Sequence, residues 1–72
     1  MDIHELTLTT KEAVKKLTHS FEIEVHDKAK MIDPENEHDW YSLTIGWGLG
    51  KGLPPNEAIE FAGYIRHETE LG

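Results

Sequence analysis

The sequence predicts a small all-α domain, a three-helix bundle with a long first helix and a C-terminal helical hairpin. Three observations predict it. A stripe of helical period, Val14, Leu17, Phe21, Val25, Ala29 and Ile32, runs along the N-terminal half. Asp33-Pro34 ends that pattern and can start the next helix. Lys51-Gly52-Leu53-Pro54 has the order of a helix stop: a cation in the last turn, glycine at the left-handed position, an apolar residue, then proline. One stretch argues the other way. Tyr41, Leu43, Ile45, Trp47 and Leu49 alternate with Ser42, Thr44, Gly46, Gly48 and Gly50, as in a strand with one apolar face. The alternative is therefore an α+β fold with residues 41–49 as a strand; the stop signal outweighs it.

Residues 1–72 form a single domain, opened by an extended arm over 1–8 whose Ile3, Leu6 and Leu8 keep no helical period. Thr9 and Glu12 fit a capping box, in which the hydroxyl accepts an amide proton of the first turn and the carboxylate reaches back. The first helix then runs from about Thr10 to Ile32. Glu12 with Lys16, and Glu24 with Lys28, supply i,i+4 ion pairs worth about 0.2–0.5 kcal/mol each. A competing period-two pattern covers Phe21-Glu22-Ile23-Glu24-Val25-His26, but as helix it leaves only Ile23 off the stripe.

The second helix is expected over Glu35 to Lys51, with Asp33 as N-cap and Pro34 at its first position. Glu35, Glu37 and Asp39 then lie near the positive end of its dipole. Trp40, Leu43 and Trp47 share one face, and Tyr41, Ile45 and Leu49 nearly the opposite one. A helix apolar on two sides packs between neighbours, which places this one innermost. Its glycines at 46, 48 and 50 cost about 1 kcal/mol each relative to alanine. Gly46 with Gly50, and Gly48 with Gly52, each clear one side of the helix for a close neighbour. The third helix opens at Pro55 and runs to about Glu70, with Ala58, Phe61, Ala62 and Ile65 inward and Glu60, Gly63 and His67 outward.

Composition bounds the function. A chain of 72 residues lies near the lower limit for folding without staples, so its two Trp, two Tyr and two Phe carry much of the core. With no cysteine, disulfides and thiolate metal sites are excluded. No apolar run approaches the roughly 18 residues of a membrane span, and no signal-peptide layout opens the chain. The expected location is cytoplasmic. Fourteen acids against seven bases give a net charge of −7, which opposes attraction to nucleic acid or anionic lipid.

Each candidate chemistry has a plainer reading beside it. The second and third helices with the Gly52 turn outline a helix-turn-helix. The third helix, however, sets Glu57, Glu60, Glu68 and Glu70 against Arg66 alone, and carboxylates repel phosphates. The acids Asp33, Glu35, Glu37 and Asp39 could fill a basic groove in a DNA-mimicking manner, but they also simply complement a helix dipole. His19, Glu22 and His26 share a solvated face, and Glu35 with His38 forms one Glu-x-x-His where a di-iron bundle needs two. No cofactor or metal is expected. The glycine run lacks the ending of a phosphate loop, and no hydroxyl stands beside a general base, so an enzyme is not expected. What remains is partner binding. Leu6, Leu8, Ile23, Ile59, Tyr64 and Leu71 are left over once one core is assigned, and Trp40 is an aromatic anchor candidate. The expected function is that of a small acidic interaction or regulatory protein. It would bind another protein, or a second copy in a homodimer, through an apolar patch rimmed by Asp33, Glu35, Glu37 and Asp39. A DNA-associated regulator with a degenerate helix-turn-helix is the runner-up.

Overall fold

The computed structural model describes residues 11–72, with Lys11 described by its backbone alone. The arm over 1–8, the Thr9 half of the capping box and the expected start at Thr10 lie outside the described residues. Within them the chain is all helical, in the order α1 Lys11–Glu24, α2 His26–Ala29, α3 Glu37–Gly50 and α4 Pro55–Glu68, with no strand. Residues 41–49 are wound into α3, so the period-two alternation there does not decide the conformation.

The long first helix is broken. At Val25 the backbone turns to φ −127°, ψ −28°, and the single turn α2 follows. The Val25 amide still donates to the Phe21 carbonyl (2.9 Å), and the Val25 carbonyl accepts from Lys28 and Ala29 (2.9 Å each). The break falls near the end of the Phe21–His26 alternating run, at a β-branched residue that is stiff in a helix. Its gain is burial: Val25 and Ala29 are 5% and 2% exposed, both in the core around Phe21 and Trp40.

The start of α3 also differs from expectation, because Asn36 and not Asp33 caps it. The Asp33 carboxylate accepts from the Glu35 amide (3.0 Å), and the Asn36 amide donates to the Asp33 carbonyl (2.8 Å). This aspartate turn occupies the cap that Asp33 would have supplied and leaves Glu35 outside the helix. Asn36 takes over: its Oδ1 accepts from the Asp39 amide (3.4 Å) and its Nδ2 donates to the Asp39 carboxylate (2.7 Å).

The turn between α3 and α4 is the expected one. Gly52 adopts φ 99°, the Gly52 amide donates to the Leu49 carbonyl (3.0 Å), and the Leu53 amide donates to the Gly48 carbonyl (3.2 Å). These two bonds satisfy carbonyls that a helix end would leave open. Gly48 then meets α4 closely: a Cβ placed there would stand 3.3 Å from the Ala58 Cβ and 3.4 Å from a Leu53 methyl. Farther along, the Tyr41 hydroxyl and the His67 imidazole hydrogen-bond at 3.1 Å, tying α3 to α4 near its last turn. The last helix stops at Glu68, short of Glu70; extended Thr69 donates its hydroxyl to the Ile65 carbonyl (2.7 Å) and accepts from the Leu71 amide (3.1 Å).

Phe21 is the hub of the core. Its ring centroid lies 5.5 Å from Trp47, 6.3 Å from Phe61 and 6.4 Å from Trp40, tilted or edge-on in each case. From α4, Ala58, Phe61, Ala62 and Ile65 are fully buried. On α3 the buried line is Trp40, Thr44 and Gly48, one residue per turn, and the buried Thr44 hydroxyl has no hydrogen-bond partner among the described residues. Leu43, Ile45, Trp47 and Tyr41 are half-buried and Leu49 is 44% exposed. The helix expected to be innermost therefore buries one face fully and keeps an outward side. Among the described residues no helix is long and apolar enough to cross a membrane.

Candidate functional site

The outward side of α3 borders an open groove. The last residues of α1, the bend at Val25 and α2 form one wall, and α3 forms the other. The groove has a volume of about 450 Å³ and is lined by Val25, Leu43, Trp47 and bare Gly46, with Glu24, Lys28 and Ser42 supplying polar edges. It exists because α1 stops where it does: the bend carries Val25 inward and leaves Leu43 and Trp47 only partly covered.

Lys51, at the C-cap of α3, ties these walls together. Its ammonium lies 2.8 and 2.9 Å from the two Glu24 carboxylate oxygens and 5.5 Å from the centroid of the Trp47 ring. The hydrogen bond from Lys51 holds the Glu24 carboxyl below its usual value against a smaller opposing effect of desolvation, and the Lys51 charge adds to the lowering. This pair replaces the expected Glu24–Lys28 pair, because the helix break after Glu24 moves Lys28 into α2 and out of i,i+4 register. At the C-cap of α2, Lys30 pairs with Asp27 at 3.0 Å and lowers the Asp27 carboxyl by hydrogen bond and charge.

The glycines of α3 divide sharply. Gly48 is filled by α4, whereas Cβ atoms added at Gly46 or Gly50 would meet none of the described residues within 4 Å. With Ser42 these two form a line of small exposed residues along α3, one per turn; Ser42 and Gly46 line the groove and Gly50 lies one turn beyond them.

The residues expected to bind a partner are scattered. Ile23 (68% exposed) is on α1 and Ile59 (56% exposed) is on α4, while Tyr64 is half-buried against the core. Trp40 is only 4% exposed and lies in the core, with the Arg66 guanidinium 5.2 Å from its ring centroid. Leu6 and Leu8 lie outside the described residues. None of Ile23, Trp40, Ile59 or Tyr64 lines the groove. Residues assigned to the core by their stripe, Val25, Leu43 and Trp47, line it instead. The sequence signal that points to it is the Gly46/Gly50 pair.

The acidic rim has local employment. Asp33 builds the turn before α3, Asp39 bonds the capping Asn36, and Glu37 lies 3.6 Å from Arg66. Arg66, the one Lys or Arg of α4, also donates to the Pro34 carbonyl (3.5 Å), and its side chain is 17% exposed. The helix-turn-helix outline thus presents a second helix whose guanidinium is turned against its own fold. Among the described residues no group of three or more His, Asp or Glu side chains could hold a metal ion. The bend after Glu24 separates His26 from the helix that carries His19 and Glu22. Comparisons with protein-family models, with curated proteins and with solved structures find nothing that matches this chain.

Proposed function

We propose that this chain is a small interaction or regulatory protein of the cytoplasm that works by seating another protein chain, a second copy of itself included, against α3. One observation carries the reading: two exposed helix glycines, Gly46 in the lining of an open apolar groove and Gly50 one turn beyond, have none of the described residues over them. Glycine inside a helix costs about 1 kcal/mol relative to alanine, and among the described residues nothing fills the space that the missing side chains leave. A partner backbone lying over them could approach α3 more closely than any larger residue allows. Burying Leu43, Trp47 and Val25 more fully would supply the driving force, at about 25 cal/mol per Å² of apolar surface. The net charge of −7 would govern encounter rate and partner choice more than affinity. The nucleic-acid reading is weaker, since α4 carries Glu57, Glu60 and Glu68 and its arginine is engaged with Trp40 and Glu37.

The test is Gly46→Arg, placed in open space so that the fold is kept while close approach is blocked. Wild type should sediment as a dimer at micromolar concentration, or cross-link to a partner in an extract of its source cell, and the variant should lose that association with an unchanged circular dichroism spectrum. A monomeric wild type that captures only what the variant also captures would overturn the reading.

A further inference from the structure

We draw no further inference here: the strongest candidate, the small-residue strip of Ser42, Gly46 and Gly50 on α3 beside the groove lined by Val25, Leu43 and Trp47, belongs to the site already described, and nothing in the structure shows what covers it.

Discussion

Gly48 and Gly46 stand two residues apart on α3 and have opposite surroundings. The first is buried against Ala58 and Leu53 at the α3–α4 seam; the second, with Gly50, looks onto open space. The same residue type in the same helix therefore has two physical meanings. At 48 the missing Cβ is exchanged for a close contact between helices inside the chain. At 46 and 50 the helix bears the same backbone cost with no contact among the described residues to offset it. Substitutions along α3 can break or sharpen this contrast.

The largest effect is expected at the seam. Gly48→Val would drive a branched side chain into the Ala58 Cβ and Cα, which belong to a packed helix and yield little, and should cost about 3 kcal/mol in urea unfolding. A neutral result would mean that the seam is loose and the contrast false. Next on the same buried face is Thr44, whose hydroxyl is enclosed with no partner among the described residues. Thr44→Val keeps the shape and removes a desolvated polar group, and should raise stability by about 1–2 kcal/mol. On the open side, Gly46→Ala and Gly50→Ala should each stabilise the isolated chain by about 0.5–1 kcal/mol in the same assay. A loss at either position would show that something already occupies the strip.

The smallest effect concerns the clamp at the edge of the groove. In Lys51→Met, the Glu24 carboxyl should titrate at a higher pH than in wild type when followed by NMR. The sign for stability follows from the lowered folded-state value. The contribution of the pair is fully present above the ordinary carboxyl value of 4.5 and is lost as the pH falls through the lowered one. Wild type should therefore lose stability between neutral and acid pH slightly more steeply than Lys51→Met. Solvent exposure of both side chains keeps the difference small.

What was legible in the sequence was local. The stop after α3 needs only Gly52, Leu53 and Pro54 and their own backbone bonds, so it reads directly from the order of residues. The α4 stripe of Ala58, Phe61, Ala62 and Ile65 is one clean period and is buried as expected. The break at Val25 was half legible: the alternating run marks the place, but the outcome depends on Val25 and Ala29 reaching the core around Trp40, far along the chain. The cap of α3 was misplaced: Asp33 is a good capping residue, but its carboxylate closes a turn of its own, and Asn36 three residues on caps the helix. The groove was hardest to foresee. Whether Leu43 and Trp47 are core or surface depends on where α1 ends, and their periodicity is the same in both cases.

Both indoles sit beneath a cation, Trp40 under Arg66 of α4 and Trp47 under Lys51 one turn on at the C-cap of α3 itself. The protein therefore carries a natural optical reporter toward each end of its central helix, in two distinct electrostatic settings. Replacing one indole at a time with phenylalanine would let fluorescence follow the groove end and the Arg66 end of α3 separately, and show whether they melt in one step.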